Sequence, residues 1–368
     1  MTRLRMAVIG VGHLGRHHAR ILADQPDVEL VGVVDSSSEQ AVAIAQQNRT
    51  KAYDQIEPLF DKVDAVTVVT PTSFHHPVAA EFLRRGVPVM VEKPICKTVF
   101  EAEELIELAQ QVGVPLQVGH IERFNPAFEE LSRRPINPSF IEAERHGPFT
   151  GRSIDIGAVL DLMIHDLDLI LSLVNGPVRE VRAFGAAIFG GHEDMVNARI
   201  EFETGCVAHV TASRITPKPK RRLRVWAPEG YAGIDFVSRK LTLVQVSDEV
   251  RRHGLGVESM DPAERAKLKD EMFGKHLEVL HVDGDRNGDQ LTAELRHFID
   301  CVRHNRTPRV TGEDGRDALA LAHRVLEAVG AHQWEGTPDG AVGPHRMPKI
   351  AGLLFDHPAI DRDEAEAA

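Results

Sequence analysis

The sequence predicts an α/β protein that begins with a doubly wound parallel sheet and continues into an α+β domain. Up to about residue 120, apolar strand-like runs alternate with helical stretches, as in a parallel sheet that is covered on both faces. After residue 120, several strand-like runs follow one another across short turns, which is typical of an antiparallel meander. We place the first domain at residues 1–122, the second at 123–334 and a flexible tail, rich in Gly, Pro and acidic residues, at 335–368.

The chain opens with the order strand, tight turn, helix. Apolar residues lead into Gly10, Gly12 and Gly15, which have the spacing G-x-G-x-x-G. In such a turn the first glycine permits the bend, the second lets the backbone approach a pyrophosphate, and the third lets the helix pack on the strand. The helix N-terminus then presents free N–H groups to the phosphates. The pattern predicts a nicotinamide dinucleotide site that includes His13 and Leu14, and an ordinary glycine turn is the alternative.

Asp35 predicts which dinucleotide is bound. It follows the second apolar run, Val28 to Val34, where a carboxylate can accept hydrogen bonds from the adenosine ribose hydroxyls. A carboxylate there repels a 2′-phosphate, and residues 36–38, all serine, supply no cation to bind one. We therefore expect NAD rather than NADP.

The remaining strands of the first domain bring further polar groups to one edge of the sheet. Strands are predicted at 64–70, 87–94 and 114–119, and helices at about 39–47, 75–85 and 100–112. Ligands of parallel sheets bind at the carboxyl ends of the strands. Those ends carry Gly10, Asp35, Thr70-Pro71-Thr72, Glu92-Lys93-Pro94 and Gly119-His120.

The second domain mixes strands and helices. A strand at 139–144 and an apolar helix at 157–174 precede the meander, whose strands are predicted at 178–188, 196–202, 206–213, 222–226, 231–236 and 241–246. The charged stretch 248–288 predicts loops with one helix near 262–272. Two helices follow at 291–303 and 314–330.

The composition limits the classes of partner. Lys and Arg number 43 against 55 Asp and Glu, and the resulting net charge of −12 argues against a nucleic acid or an anionic membrane. The first strand begins within a few residues of Met1, which leaves no room for a signal peptide, and no apolar run approaches the ~20 residues needed to span a bilayer. Cys96, Cys206 and Cys301 are isolated, which indicates reduced thiols. We expect a cytoplasmic protein.

The apolar helix of the second domain carries one polar stripe. The stripe consists of Asp161, His165, Asp168 and Ser172. Steps of four, three and four return to one face of an α-helix, whereas Asp166 falls off the stripe and is expected to face solvent or a local partner. A buried carboxylate and imidazole one turn apart either form a structural pair or face a polar cavity. We predict no metal site, because neither an H-x-x-x-H pattern nor a further acidic cluster lies beside them.

Lys93 adds a third chemical group. It lies at the carboxyl end of an apolar strand, where a nicotinamide would lie, and Pro94 restricts it to an extended backbone and permits a cis bond. A lysine at a strand end is commonly only solvated. With the glycine turn upstream and the polar stripe downstream, a second role beyond solvation is favoured for Lys93.

The order of these motifs resembles the Gfo/Idh/MocA family of sugar and inositol oxidoreductases. The matching segments are AVIGVGHLG, VTPTSFH, EKP at 92–94, DLMIH at 161–165 and GEDGRDALALA from Gly312. The resemblance implies a Rossmann domain followed by a domain with a large open, mainly antiparallel sheet that is often used for oligomer contacts. It also implies that Lys93, Asp161 and His165 form the catalytic group. The cofactor lining implied in the same way is Thr70, Pro71, Thr72, His75, Glu92 and Lys93.

Three further segments resemble the UDP-N-acetylglucosamine 3-dehydrogenase branch of this family. They are GHIERFNPAF (119–128), DIGAVLDLMIHDLDLIL (155–171) and ASRITPKPKRRLRVW (212–226). This resemblance implies a sugar or nucleotide-sugar substrate whose C3 hydroxyl becomes a ketone, and a sugar aminotransferase as functional partner. Arg123 and Asn125 are candidate substrate contacts, although Asn125 also has the position of a helix cap.

A basic run lies inside this acidic chain, and a sheet with one uncovered face is expected in the second domain. The run consists of Lys218, Lys220, Arg221, Arg222 and Arg224. These cations could face a nucleotide diphosphate, or they could form a solvated or intersubunit strand edge. The uncovered sheet face predicts a homodimer or homotetramer.

The expected reaction is hydride transfer from a secondary alcohol to the nicotinamide. We expect His165 to accept the hydroxyl proton, Asp161 to orient the imidazole or a neighbouring sugar hydroxyl, and Lys93 to donate a hydrogen bond to the reacting oxygen. Sequence does not decide between Lys93 and His165 as the final proton acceptor, and we favour His165. Oxidation of a free polyol or hexose such as inositol, and a regulator that binds NAD without catalysis, remain alternatives.

Overall fold

The computed structural model describes residues 2–149, 151, 156–188, 192–284 and 288–332. The tail predicted at 335–368 lies outside the described residues. Within them, the chain forms two sheets with helices packed on each, and no helix is long and apolar enough to cross a membrane.

The first sheet has six parallel strands. They are β1 (Leu4–Ile9), β2 (Val28–Val34), β3 (Lys51–Tyr53), β4 (Ala65–Val68), β5 (Val89–Glu92) and β6 (Leu116–Gly119). The helices between them are α1 (Gly15–Asp24), α2 (Ser38–Gln47), α3 (His75–Leu83) and α4 (Val99–Val112). The strand order is β3-β2-β1-β4-β5-β6. Strands are added on one side of β1 up to β3 and on its other side from β4 onward, so the topological switch point, where ligands of doubly wound sheets bind, lies between β1 and β4. The predicted doubly wound sheet is confirmed, and β3 is a strand that the sequence pattern did not indicate.

The second sheet has eight strands. They are β7 (Phe140–His146), β8 (Val178–Ala186), β9 (Met195–Phe202), β10 (Val207–Ser213), β11 (Lys220–Ala227), β12 (Gly230–Asp235), β13 (Lys240–Val246) and β14 (Leu277–Asp283). Their order is β14-β13-β12-β11-β7-β10-β9-β8, and only the β7–β10 pair among them is parallel. The expected mainly antiparallel sheet is confirmed.

Six further helices follow the first sheet in the described residues. They are α5 (Pro126–Ser132), α6 (Ile164–Leu173), α7 (Asp248–His253), α8 (Pro262–Glu271), α9 (Gln290–His304) and α10 (Gly312–Ala331). The helix predicted near 262–272 corresponds to α8. The described part of the charged stretch 248–288 also contains α7 and the edge strand β14, which the charged sequence did not indicate.

Each face of the parallel sheet has its own apolar core. Met6 and Val8 point to one face, where they pack with α1 and with Leu295 of α9. Ala7 and Ile9 point to the other face, toward α3 and α4. Helix α9 therefore completes the core of the first sheet although it follows the second sheet in sequence. The predicted domain boundary at residue 122 stays a prediction.

The second sheet buries one face and leaves the other open. Leu223 and Val225 of β11 are fully buried in a core that also contains α5, α6 and α10. Because side chains alternate along a strand, Arg222 and Arg224 point to the opposite face. That open face carries aromatic contacts, with the ring of Phe140 5.2 Å from that of Trp226.

Candidate active site

A cavity of about 400 Å³ opens where the carboxyl end of the parallel sheet meets the second sheet. We call this cavity the cleft. It is lined by His13, Leu14, Glu92, Lys93, Gly119, Ile121, Arg145, His146, Gly147, Pro148, Phe149, Asp161, Leu162, His165, Arg214, Pro219, Arg221 and Leu291. The cleft thus collects the three residues predicted as the catalytic group, and it also collects His13, Leu14 and Glu92 from the predicted cofactor set.

The glycine turn beside the cleft has the geometry that a pyrophosphate needs. Gly10 has φ +87°, a conformation that disfavours any side chain, and a Cβ at Gly15 would lie 1.9 Å from the Gly10 carbonyl oxygen. A Cβ at Gly12 would meet no atom within 4 Å, so glycine there leaves open space in front of the turn. The turn therefore keeps its backbone accessible at the N-terminus of α1, where a phosphate is favoured.

Asp35 is joined to this turn by hydrogen bonds. Its Oδ2 accepts from the Val11 N–H at 2.9 Å, and its Oδ1 accepts from the Ser37 N–H at 2.9 Å. The carboxylate is thereby fixed at the end of β2, beside the turn, where the adenosine ribose of a bound dinucleotide would lie. Together with Gly10, Gly12 and Gly15, it fits NAD.

His75 lies at the carboxyl end of the parallel sheet but does not line the cleft. It is 1% exposed, and its Nδ1 and Nε2 lie 2.8 Å from the carbonyl oxygens of Pro94 and Thr70, respectively. Burial lowers the pKa of His75 despite these two contacts. The side chain therefore ties together the segments that follow β4 and β5. Pro71 and Thr72 stand on the same edge, also outside the cleft lining.

Lys93 and Asp161 are in contact across the cleft. The Lys93 Nζ donates to the carbonyl oxygen of Asp161 at 2.7 Å and lies 3.5 Å from Asp161 Oδ1. The Lys93–Pro94 bond is cis. On the other side of Lys93, the buried Glu92 carboxylate lies 3.2 Å from His18 Nε2. Burial opposes ionisation of Glu92, but the neighbouring His18 imidazole and the charge and backbone N–H of Lys93 together outweigh it and lower the pKa of Glu92.

The predicted regular helix begins instead with a π-helical turn, Val159–Met163, which leads directly into α6. The carboxylate of Glu193 accepts from the Val159 N–H at 3.1 Å and fixes the start of this turn. Asp161 and His165 both reach the cleft. Ser172 does not, and its hydroxyl donates to the Leu169 carbonyl oxygen at 2.7 Å. Only the first two residues of the predicted polar stripe therefore line the cleft.

Asp166 was expected to face solvent or a local partner, and this was wrong. It is 1% exposed and accepts two hydrogen bonds from Arg145, at 2.9 and 2.8 Å. Arg145 also donates to Glu122 at 2.8 Å. Burial raises the pKa of Asp166 although the Arg145 charge opposes this. The partner comes from β7 and not from the same helix, so helical spacing could not reveal it.

The two candidate substrate contacts have structural positions outside the cleft lining. Arg123 donates two hydrogen bonds to Asp168, at 2.7 and 2.9 Å, and this pair is largely buried. Asn125 is fully buried, and its Oδ1 accepts from the Ala127 N–H at 3.1 Å, so it caps α5. The helix-cap explanation of Asn125 agrees with this contact.

His165 lies among positive charges. Burial lowers its pKa well below 6.5, and the charges of Lys93 and Arg145 lower it further. Its Nδ1 is buried and has no hydrogen-bond partner among the described residues, while the residue itself lines the cleft.

Two cleft arginines were not singled out from the sequence. Arg145 lies at the end of β7. Arg214 follows β10, donates to Asp194 at 2.6 Å and donates to the Ile156 carbonyl oxygen at 2.9 Å. Both lie near the carboxyl end of a strand of the second sheet. From the sequence, candidate residues are taken only from strand ends of the parallel sheet.

Side chains of the basic run point to both faces of the second sheet, because they alternate along β11. β11 lies in the interior of the sheet and not at its edge, which was one of the alternatives. On the open face, Lys220 pairs with Glu144 at 2.7 Å and Arg224 with Glu142 at 2.6 Å. Arg222 lies 3.4 Å from Asp235 on that face. Arg221 points the other way and lines the cleft.

Two negative findings concern the described residues alone. Within the described part of the chain, no group of three or more His, Cys, Asp or Glu is placed to hold a metal ion. Cys96, Cys206 and Cys301 are free and buried.

Comparison with known proteins identifies relatives of both halves of the chain. A model described as "Oxidoreductase family, NAD-binding Rossmann fold" matches residues 4–120, and one described as "GFO/IDH/MocA C-terminal domain" matches residues 132–232. A UDP-N-acetylglucosamine 3-dehydrogenase from Acidithiobacillus ferrooxidans is 37% identical over 90% of this chain and 99% of its own. A scyllo-inositol 2-dehydrogenase (NAD(+)) from Bacillus subtilis is 27% identical over 85% of this chain and 90% of its own.

A solved structure of the Acidithiobacillus enzyme has the same fold. It superposes with a TM-score of 0.78 at 36% identity and covers 89% of this chain and 98% of its own. The family models, these relatives and the glycine-turn geometry agree. The chain belongs to the Gfo/Idh/MocA family and is an oxidoreductase whose N-terminal Rossmann domain binds NAD.

Proposed function

We propose that the chain oxidises a secondary alcohol of a nucleotide sugar, with the C3 hydroxyl of UDP-N-acetylglucosamine as the first candidate. The similarity to the Acidithiobacillus enzyme supports the sugar. The position of Arg221 supports the nucleotide diphosphate, and it is the observation on which the proposal chiefly rests.

Arg221 differs from the other arginines of the cleft in having its charge available. Arg145 and Arg214 are each engaged by a buried carboxylate at hydrogen-bond distance. The side chain of Arg221 is 49% exposed, and its ion-pair contact is Glu122 at 3.8 Å, a carboxylate that Arg145 already binds at 2.8 Å. A guanidinium in this position can bind a phosphate through two parallel hydrogen bonds. A free polyol offers no anion to it.

Three side chains would handle the substrate hydroxyl. Bound NAD supplies the acceptor for the hydride. Neutral His165 would accept the hydroxyl proton at Nε2, because its Nδ1 is buried away from the cleft. The Lys93 ammonium would stabilise the negative charge that develops on the oxygen. Asp161 contacts Lys93 and makes no ion pair with His165 among the described residues, so we assign it to positioning Lys93 and not the imidazole.

The test is NADH absorbance with the purified protein and NAD, using UDP-N-acetylglucosamine, glucose and inositol in separate assays. We expect turnover with the nucleotide sugar. Turnover with inositol alone would contradict the nucleotide-sugar proposal and favour a polyol dehydrogenase, the activity named for the Bacillus relative.

Two arginine variants sharpen this test. Arg221→Gln should raise KM for the nucleotide sugar ~10-fold or more and leave kcat nearly unchanged, because a charge-assisted hydrogen bond contributes about 1.5–3 kcal/mol. Arg222→Gln is the matched control, since this neighbour points to the open face near Asp235. Equal kinetics for the two variants would remove Arg221 from the substrate site.

The partners are part of the same proposal. A sugar aminotransferase would consume the 3-keto product, and the homodimer or homotetramer would use the open face of the second sheet.

A further inference from the structure

His120 lies next to His165 but outside the cleft lining. It follows β6 directly and is 1% exposed, although Gly119 and Ile121 on either side of it both line the cleft. The His120 and His165 rings stand edge to face, with their centroids 6.4 Å apart and their planes at 89°. His120 is therefore the imidazole behind the proposed base.

Three ring nitrogens of this pair are buried and have no hydrogen-bond partner among the described residues. They are both nitrogens of His120 and Nδ1 of His165. Buried polar atoms in native proteins are usually hydrogen bonded, and where protein supplies no partner an internal water commonly does so. One water between the two rings would satisfy a nitrogen on each.

The charges around the two imidazoles differ: those named at His165 are all positive, whereas His120 has neighbours of both signs. His165 faces Lys93, which follows β5, Arg145 of β7 and Arg221 of β11, and all three oppose a positive charge on its ring. His120 faces the carboxylates of Asp168 and Glu92, which favour a positive charge.

Two cations near His120 oppose those carboxylates. They are Arg123, which is paired with Asp168, and Lys93. Burial lowers the pKa of both imidazoles, and it lowers that of His165 well below 6.5. Neighbouring carboxylates therefore favour an added proton on His120, whereas the charges named at His165 all oppose one there.

We propose that His120 receives the proton that His165 removes from the substrate hydroxyl. His120 acts through His165 and does not touch the substrate, so we class it as a positioning residue and not as a catalytic one. This rests on the proposed oxidation. The substrate O–H bond breaks as an N–H bond forms at His165 Nε2. The proton on His165 Nδ1 then passes through one water to a ring nitrogen of His120. The hydride leaves the substrate carbon with its electron pair and is taken up by NAD, so no further reactant is required.

The kinetic test uses two variants of the full-length protein. His120→Gln keeps polarity but cannot take a proton, and His120→Phe keeps an aromatic ring of similar volume. Both should lower kcat ~10-fold or more and raise the solvent deuterium isotope effect on kcat, while KM for substrate and NAD affinity stay nearly unchanged. His209→Gln, an exposed histidine on β10, is the control and should behave as wild type.

The outcomes separate a proton role from a packing role. If His120 only fills space, His120→Phe should retain wild-type kcat, and that result would overturn the proposal. Thermal melting of each variant verifies folding. If the phenylalanine variant fails to fold, a wild-type kcat in the glutamine variant overturns the proposal equally.

A second measurement needs no substrate. Histidine ring resonances of the ¹⁵N-histidine-labelled protein are followed with pH and assigned by their loss in His120→Gln and His165→Gln. His120 should gain its proton at a higher pH than His165. If His165 gains its proton at a higher pH than His120, the relay is overturned whatever the substrate is. If His120 gains its proton first but no sugar is turned over, the result counts against the proposed function and not against the relay.

Discussion

At the scale of single residues, the site couples a weak base to a nearby cation. The imidazole of His165 resists protonation because burial and the charges of Lys93 and Arg145 all disfavour its charged form. A lowered pKa favours the neutral imidazole, the form that can accept the proton of a substrate hydroxyl. Lys93, held by the Asp161 carbonyl oxygen at 2.7 Å, stands ready to stabilise an alkoxide.

Removing the imidazole tests this assignment. His165→Ala should lower kcat ~10²-fold or more and leave NAD affinity nearly intact, because the cofactor contacts come from the glycine turn and Asp35. Steady-state kinetics and a fluorescence titration with NAD measure the two quantities. An equal loss of NAD binding would mean that His165 has a structural role.

Asp35 should control the choice of dinucleotide. Asp35→Ala removes the carboxylate that would repel a 2′-phosphate, so the ratio of kcat/KM for NAD over NADP should fall. It also removes acceptors for the Val11 and Ser37 N–H groups, so some loss of stability should accompany it. The kinetics with both cofactors measure the ratio, and an unchanged preference would remove Asp35 from the cofactor site.

Single residues of the site were predictable where a strand end or a motif marked them. Lys93, Glu92 and His13 followed from the parallel sheet and its glycine turn. Arg145 was missed because its importance depends on Asp166 and Glu122, which reach it only after β7 has docked on α6. The buried carboxylate partner of Arg123 was hidden for the same reason.

At the scale of elements, α6 determines where His165 stands. Two arginines hold it through paired hydrogen bonds: Arg145 of β7 binds Asp166, and Arg123 binds Asp168. A π-helical turn precedes α6, and Asp161 and His165 both line the cleft whereas Asp168 does not. Periodicity alone could predict the helix but neither the π turn nor these long-range pairs.

Breaking one of these pairs should destabilise the fold. Asp168→Asn leaves the Arg123 charge largely buried and without its main partner, which costs about 3–5 kcal/mol of the free energy of unfolding. Urea denaturation measures this. Glu81→Gln, which breaks exposed pairs with Arg84 and Arg85, is the control and should change stability by less than about 1 kcal/mol. Similar losses for the two variants would contradict the assigned role of the Arg123–Asp168 pair.

At the scale of the whole molecule, buried histidines should make stability depend on pH. Burial lowers the pKa of His75, His120 and His165 in the folded state. Below the unfolded value of about 6.5, the unfolded chain therefore binds more protons than the folded one, and stability falls as pH falls.

Denaturation at a series of pH values measures this dependence. We expect the free energy of unfolding to be highest above pH ~6.5 and to decline steadily toward pH ~5. Glu294 opposes the trend, because burial raises the pKa of this fully buried carboxyl well above its ordinary value. Glu294→Gln should therefore make the decline steeper. A stability that is flat over this range would contradict the lowered histidine pKa values.

The overall architecture was predictable from the segments that separate the strands. Apolar runs separated by helices form a parallel sheet, and runs separated by short turns form an antiparallel one. The parallel pairing of β7 with β10, inside an otherwise antiparallel sheet, was not predictable from strand patterns. Neither was β14, whose mostly exposed residues carry little apolar alternation. Neighbours across a sheet are set by the tertiary fold.

The return of α9 to the first sheet has a consequence for biosynthesis. Met6 and Val8 share a core with Leu295 and Phe298, so the earliest strand depends on a helix made nearly 300 residues later. The nascent N-terminal half therefore emerges from the ribosome with one apolar face covered only in part, by α1 and α2, and the rest stays exposed until α9 is synthesised. During that interval the exposed part of this face is a place for chaperones to bind and for aggregation to begin.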